Sequence, residues 1–219
     1  SCAMKVGTDG VLLGAWCPVE HAVRVLDIGT GTGLIALMIA QRAPKALIEA
    51  VELDEKAAEQ ARYNVSLTPF DERVKVFTSS IQVFAETNQG LYDVIVCNPP
   101  YFVDSLKSPN NSRTQARHAD TLTQDDLLEA VHKLLSEQGT LNVILPTVEA
   151  DMLIEKSKQF GFTLALCTHV LPTPQSPVKR KLISFVRRAS SLRDTQLVIE
   201  TDRHVYTAEY KLSTKDFSL

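Results

Sequence analysis

The stretch from Val25 to Leu34, VLDIGTGTGL, joins strand-forming residues to three glycines at alternate positions, 29, 31 and 33. Glycines spaced in this way let the backbone turn tightly and approach a ligand at the start of the following helix. The pattern is GxGxG, because the sixth position of the dinucleotide-binding pattern GxGxxG is Leu34. Asp27 precedes the turn, where a carboxylate repels a pyrophosphate and attracts an ammonium group. The stretch therefore predicts a nucleotide-type turn whose ligand carries an amino-acid group.

Strand and helix patterns alternate along the rest of the chain. Strands are predicted at 23–28, 47–53, 74–77, 94–97, 141–145, 164–171 and 182–186. Helices are predicted at 33–42, 55–65 and 151–160, and a further helix begins at Thr123 and stops at Gly139. This alternation indicates a parallel sheet covered by helices on both faces. The loop PTPQSPVKRK favours an antiparallel hairpin for the last two strands.

Composition limits the class of protein. The 219 residues are 44% hydrophobic and contain no obvious linker, which predicts a single domain over 1–219. No run approaches the roughly 20 apolar residues of a membrane span, and no signal peptide is recognisable, so we expect a cytoplasmic protein without a membrane partner. The four cysteines form no CxxC pair, which predicts reduced thiols and no metal. The first residue is Ser, so an N-terminal truncation remains open.

Charge is distributed unevenly along the chain. Residues 1–102 carry 8 Lys and Arg against 12 Asp and Glu, whereas residues 103–193 carry 12 against 9. We therefore expect any contact with a polyanion to lie in the second half.

Two further strand ends carry candidate ligand-binding residues. The second predicted strand runs into VELDE, where Glu52, or Asp54 as second choice, could accept hydrogen bonds from ribose hydroxyls. A solvated start of a helix is the alternative interpretation of Asp54. The third ends in FTSSI, where Ser79 or Ser80 could reach an adenine and Ile81 could pack on its face.

The fourth predicted strand ends in DVIVCNPPYF, residues 93–102. Neither proline can donate a hydrogen bond to a strand ladder, so Asn98 and Tyr101 are held stiffly at the tip of a buried strand. The alternative is a plain strand terminator in which Tyr101 covers an edge of the core.

The motifs DIGTGTG, VELD and NPPY, in this order and spacing, resemble those of class I S-adenosylmethionine-dependent methyltransferases that modify a planar amine or amide nitrogen. The segments CAMKVGTDGVLLGAW, RHADTLTQDDLL and YTAEYKLSTKDF narrow the resemblance to the bacterial tRNA(Val) (adenine-N6)-methyltransferase family. It covers essentially the whole chain. It implies an α/β, Rossmann-like fold with a seven-stranded, mostly parallel sheet and an antiparallel C-terminal hairpin strand.

The same resemblance implies methyl transfer from S-adenosylmethionine to the N6 amine of an adenine beside the anticodon of a valine tRNA, leaving S-adenosylhomocysteine. Asn98, Pro99 and Tyr101 are the implied catalytic residues: two oxygens accept the N–H bonds of the amine, and the ring stacks on a flipped base. The implied cofactor-binding residues are Asp27, Gly29, Thr30, Gly31, Gly33, Glu52, Asp54, Ser80, Ile81 and Asn98. Relatives often carry Asp where this chain has Ser80.

Candidate contacts with RNA follow the NPPY turn and occur again in the late hairpin. They are Phe102, Lys107, Arg113, Arg117, Lys179, Arg180 and Lys181, and a plain solvated surface is the alternative for the charged ones. We expect tRNA as partner and a monomeric enzyme. Two other functions remain open, namely methylation of a glutamine side chain in a release factor and a non-catalytic RNA-binding scaffold.

Overall fold

The computed structural model describes residues 7–88, 90–99, 122–202 and 205–217. The α-helices of this part are α1 Thr8–Trp16, α2 Leu34–Arg42, α3 Glu55–Ser66, α4 Ile81–Thr87, α5 Gln124–Leu134, α6 Thr147–Ser157 and α7 Ala208–Thr214, and a 3-10 turn spans Lys158–Phe160. The strands are β1 Arg24–Ile28, β2 Leu47–Glu52, β3 Val74–Thr78, β4 Tyr92–Cys97, β5 Leu135–Pro146, β6 Thr163–Leu171, β7 Arg180–Val186, β8 Arg193–Val198, β9 Glu200–Asp202 and β10 Val205–Tyr206.

The main sheet of the described residues has the strand order β3-β2-β1-β4-β5-β7-β6-β8. Every neighbouring pair is parallel except those that β7 makes with β5 and β6. The chain progresses in one direction from β1 to β3 and in the other from β4 onward. This reversal opens a crevice at the carboxyl ends of β1 and β4, which is where parallel α/β sheets bind ligands.

Helices cover both faces of the sheet, so its central strands are buried on both sides. In β4, Val94 and Val96 pack into the core beneath α1 and α2, whereas Ile95 and Cys97 pack into the core beneath α4, α5 and α6. This double burial explains why the strand appears in the sequence as an unbroken aliphatic run.

The structure corrects the predicted strand count. The main sheet of the described residues has eight strands instead of seven, because β8 adds to β6 in parallel at the edge. In β8, Leu197 is buried, whereas the other side chains are exposed or half-buried. An edge strand with so little apolar content gives a weak period-two signal.

The predicted end of the helix that begins after Thr123 was also wrong. Helix α5 ends at Leu134, and β5 begins at the next residue, with a shift of register against β4 between Tyr92 and Val94. Gly139 lies within this irregular part of β5, and an added Cβ there would lie 2.8 Å from the carbonyl oxygen of Tyr92. The glycine therefore permits a close approach of two strands and does not terminate the helix.

A search of the described residues finds no helix with both the length and the apolar character needed to cross a bilayer.

Candidate active site

A cavity of about 910 Å³ opens at the carboxyl ends of β1, β2 and β4. Its walls include the turn after β1, the end of β2, the start of α4, the residues after β4 and the first turn of α1. Pro146 at the end of β5 and Arg180 at the start of β7 complete the far side. The cavity therefore coincides with the crevice expected from the reversal of strand order.

The glycine turn needs its glycines because all three have positive φ angles, 69° at Gly29, 58° at Gly31 and 85° at Gly33. An added Cβ at Gly33 would lie 3.4 Å from Cβ of Ala61 in α3, so this glycine also allows close packing of the turn on a helix. At Gly29 an added Cβ would meet nothing within 4 Å, and the residue lines the cavity. The turn thus presents bare backbone to the cavity, as close binding of a nucleoside-linked amino acid requires.

Asp27 lies beneath this turn and is completely buried. Its Oδ2 accepts a hydrogen bond of 2.6 Å from the Thr30 hydroxyl, while burial raises the pKa of the carboxyl group to about 7. Thr30 lines the cavity, but Asp27 is absent from the lining residues that the structure describes. Asp27 therefore supports the turn through Thr30, and its direct contact with a ligand stays a prediction.

Glu52 links the end of β2 to the glycine turn. Its Oε2 accepts a hydrogen bond of 2.8 Å from the Gly31 N–H, and its Oε1 accepts two more from Leu53 and Asp54 at 2.9 and 3.0 Å. An ionised carboxylate has about four acceptor positions, so roughly one remains for a ribose hydroxyl. Glu52 lines the cavity, consistent with its predicted role.

Asp54 also lines the cavity, but its side chain is already used locally. Its Oδ1 accepts a hydrogen bond of 2.8 Å from the Ala57 N–H, which makes Asp54 the N-cap of α3. This contact uses one acceptor position of the carboxylate, so Asp54 stays the second candidate for the ribose acceptor after Glu52.

The predicted adenine-binding residues lie together at the start of α4. The Ser80 hydroxyl accepts a hydrogen bond of 3.2 Å from the Val83 N–H and caps the helix. Ser79, Ser80 and Ile81 all line the cavity next to Glu52, whose carbonyl oxygen accepts a hydrogen bond of 2.9 Å from the Ser79 N–H. The Ser80 hydroxyl is partly engaged because it caps α4. Ile81 contributes an apolar side chain to the same wall.

Asn98 and Pro99 follow β4 directly and line the same cavity. An added Cβ on Gly10 of α1 would lie 3.7 Å from Nδ2 of Asn98, so the amide lies close to the first turn of that helix. The predicted residues Tyr101, Phe102, Lys107, Arg113 and Arg117 lie outside the described residues. Asn98 lines the same cavity as the glycine turn, and its contacts with cofactor and acceptor stay a prediction.

The late basic segment does not form one patch. Arg180 and Lys181 are consecutive residues of β7, so their side chains leave opposite faces of the sheet. Arg180 Nε forms an ion pair of 2.7 Å with Asp9 in the cavity, whereas Lys181 pairs with Asp151 of α6. Lys179 precedes the strand and is exposed. The three candidate cations therefore face different surroundings, and contact of each with RNA stays a prediction.

Sequence reasoning missed the contribution of α1 to the site. Gly7, Thr8, Asp9 and Gly10 all line the cavity, although no pattern in the first 24 residues marks them as ligand-binding. The sequence feature that could have indicated this is the pair of glycines, Gly7 and Gly10, around Asp9. Such glycines are also common in turns and at sites of close packing, so they do not mark a binding site by themselves.

One group in the described part of the chain could hold a metal ion. The side-chain ligand atoms of Cys167, His169 and Asp194 lie within 4.8 Å of one another, on β6 and β8. His169 Nε2 already pairs with Asp194 Oδ1 at 2.8 Å, and burial raises the pKa of the Cys167 thiol to about 11. This group does not line the cavity, and the expectation of a metal-free enzyme stays a prediction.

Solved structures share this architecture. A predicted O-methyltransferase from Agrobacterium tumefaciens superposes with a TM-score of 0.74 at 20% identity, covering 94% of this chain and 95% of the other. A glycopeptide N-methyltransferase complexed with S-adenosylmethionine superposes with a TM-score of 0.58 at 13% identity, covering 82% and 95%. The strand order and the glycine turn after β1 thus give this chain the fold of class I methyltransferases.

The sequence comparisons narrow this class. The family model of the methyltransferase small domain matches residues 5–157. The chain is 46% identical over 219 residues to a tRNA1(Val) (adenine(37)-N6)-methyltransferase from Bacteroides fragilis, and 47% identical over 220 residues to one from Trichodesmium erythraeum. Each match covers 100% of this chain and 92% of the relative. The chain belongs to the tRNA1(Val) (adenine(37)-N6)-methyltransferase family.

Proposed function

We propose that this protein methylates the exocyclic N6 amine of an adenine in tRNA, with S-adenosylmethionine as donor and S-adenosylhomocysteine as product. The observation that carries the proposal is the position of Asn98 and Pro99 on the wall of the cavity that the glycine turn and Glu52 also line. Relatives at 46% and 47% identity are named for adenine-37 of a valine tRNA, and we propose the same nucleotide here. We further propose that the enzyme acts in the cytoplasm as a monomer.

The residues around the turn fit the cofactor. Bare backbone at Gly29 suits close contact with the methionine part, Glu52 offers a remaining acceptor to the ribose, and Ile81 offers an apolar face to the adenine. When bound, S-adenosylmethionine supplies a methyl group activated by the positively charged sulfonium, and the thioether of S-adenosylhomocysteine is the leaving group. The protein therefore has to align the acceptor nitrogen with that group and exclude competing geometries.

Asn98 and Pro99 would make the acceptor nitrogen, which is a weak nucleophile, more reactive. The lone pair of an exocyclic amine is delocalised into the ring, so the nitrogen attacks well only when it becomes pyramidal. The Asn98 side-chain oxygen and the Pro99 carbonyl oxygen would each accept a hydrogen bond from one N–H group of the amine. These two hydrogen bonds would stabilise the pyramidal nitrogen and its growing positive charge. The lost proton then leaves the methylated nitrogen to solvent.

The decisive experiment incubates the full chain with unmodified tRNA and methyl-labelled cofactor, followed by mass spectrometry of the nucleosides. We expect label in N6-methyladenosine. In parallel, Asn98→Ala should reduce the transfer rate about 100-fold or more, since loss of one transition-state partner costs roughly 3 kcal/mol, while cofactor affinity changes little.

Other outcomes would overturn the proposal. Label on a glutamine of a release factor and none on tRNA adenine would assign the shared Asn-Pro chemistry to a protein substrate. Tight tRNA binding with no transfer to either acceptor would make the chain a non-catalytic RNA-binding protein. Equal loss of cofactor affinity and transfer rate in Asn98→Ala would make Asn98 a structural residue.

A further inference from the structure

An ion pair ties the first turn of α1 to the start of β7 across the cavity wall. Arg180 Nε lies 2.7 Å from Oδ2 of Asp9, and both residues line the cavity. The side chains are 26% and 33% exposed, so the pair is better shielded from water than an ordinary surface pair. The contact joins elements that are 171 residues apart in the chain.

The residue after Asp9, Gly10, lies beside the side-chain amide of Asn98. An added Cβ on Gly10 would lie 3.3 Å from Cδ2 of Leu34 and 3.7 Å from Nδ2 of Asn98. Leu34 is the first residue of α2, directly after the glycine turn. The first turn of α1 therefore lies beside both the start of α2 and Asn98, and the ion pair is made by the adjoining residue.

We propose that the Asp9–Arg180 ion pair is a positioning device, which holds the first turn of α1 against Asn98 and so fixes the orientation of the amide for methyl transfer. This inference rests on the proposed role of Asn98. Asp9 and Arg180 touch no reacting atom in this scheme. They act through the first turn of α1, where Gly10 is the residue beside the amide.

The geometry favours this role over a phosphate contact for Arg180. Its guanidinium group is engaged by Asp9 through Nε and also donates from Nη1 to the Lys179 carbonyl at 3.0 Å. A phosphate would have to compete with an aspartate at hydrogen-bond distance. A displacement of the amide by about 1 Å can reduce transfer 100-fold, so a device that fixes its position has a measurable effect.

The test compares Asp9→Asn and Arg180→Gln with Lys156→Gln in the full chain. Lys156 forms an ion pair of 3.2 Å with Asp125 between α6 and α5, outside the cavity lining, and its side chain is 30% exposed. We expect a fall in single-turnover transfer of roughly 10-fold or more in both cavity variants, with cofactor affinity within about threefold of wild type. The transfer rate of the double variant should fall by no more than that of the slower single variant, because each substitution removes the same contact. Arg180→Lys should recover part of the rate, and Lys156→Gln should match wild type.

A readout that needs no substrate separates this inference from the proposed function. Amide hydrogen exchange in residues 8–13 of the free enzyme should become faster in Asp9→Asn and Arg180→Gln and stay unchanged in Lys156→Gln. Unchanged exchange and unchanged transfer in the cavity variants would overturn the positioning role. Loss of tRNA affinity with a smaller salt slope in Arg180→Gln alone would assign Arg180 to a phosphate instead. A wild-type enzyme that methylates no tRNA would refute only the proposed function, because hydrogen exchange still tests the device.

Discussion

Replacing Glu52 by Gln should weaken cofactor binding and destabilise the glycine turn together. The carboxylate accepts three backbone hydrogen bonds, from Gly31 at 2.8 Å on one oxygen and from Leu53 and Asp54 at 2.9 and 3.0 Å on the other. Glutamine keeps one of these oxygens and replaces the other with an NH₂ group, which cannot accept. At least one N–H group then faces another donor.

The expected magnitudes follow from these contacts. Loss of one hydrogen bond to a charged acceptor should lower the free energy of unfolding of the ligand-free protein by about 1.5–3 kcal/mol. If Glu52 holds the ribose as proposed, binding loses a charged acceptor, which should cost a similar amount of binding free energy. Because 1.4 kcal/mol corresponds to a tenfold change, the Kd for S-adenosylmethionine should rise by about 10- to 150-fold.

Asp54→Asn is the matched control for this substitution. Asp54 lines the same cavity and caps α3, and Asn is as good an N-cap as Asp, so helix stability should be preserved. Titration calorimetry with S-adenosylmethionine and urea unfolding of each variant give the two quantities. Affinity within about twofold of wild type in Glu52→Gln, or a larger loss in Asp54→Asn, would refute the assignment of the ribose acceptor to Glu52.

Three further predictions concern RNA contact, pH and metal. Lys179→Gln should reduce the slope of log affinity for tRNA against log salt concentration by about 0.7–0.9. Lys181→Gln should change this slope less, because Lys181 already pairs with Asp151. Filter binding over a series of salt concentrations checks both predictions. Burial raises the pKa of Asp27 from 3.8 to about 7, so the folded state keeps a proton that the unfolded state releases near pH 4. The free energy of unfolding should therefore fall by roughly 4 kcal/mol at most between pH 4 and 8, relative to Asp27→Asn, because the contribution is lost as the pH rises through the folded pKa. Urea unfolding at pH 4, 5.5, 7 and 8 checks this, and only a small part of the fall should remain above pH 7. Treatment with EDTA should leave methyl transfer unchanged, because Cys167, His169 and Asp194 lie outside the cavity lining; a loss of rate that zinc restores would contradict this.

The sequence alone determined the features that arise from neighbouring residues. Three glycines at alternate positions fix a turn of positive φ angles, and the unbroken aliphatic run before Asn98 predicts a doubly buried strand. The capping pattern after Thr123 predicts the start of α5, where Thr123 and Asp126 form a capping box. The order of these motifs also sufficed to identify the class of fold, since strands that follow a βα pattern pair in parallel and bring their ends to one edge.

Tertiary structure decided the features that depend on which strands and helices become neighbours. In the sequence, Gly139 has the position of a glycine that ends a helix. In the folded chain a side chain is excluded there by the carbonyl oxygen of Tyr92 on the adjacent strand. Arg180 and Lys181 form one basic cluster in the sequence, yet β-strand geometry sends them to opposite faces, and each finds an aspartate contributed by another element. Local propensity is a property of a few consecutive residues, whereas the partner of a side chain depends on register and on packing between distant segments. The sequence therefore predicts the strand ends that line the cavity, whereas the position of α1 beside Asn98 arises only in the folded chain.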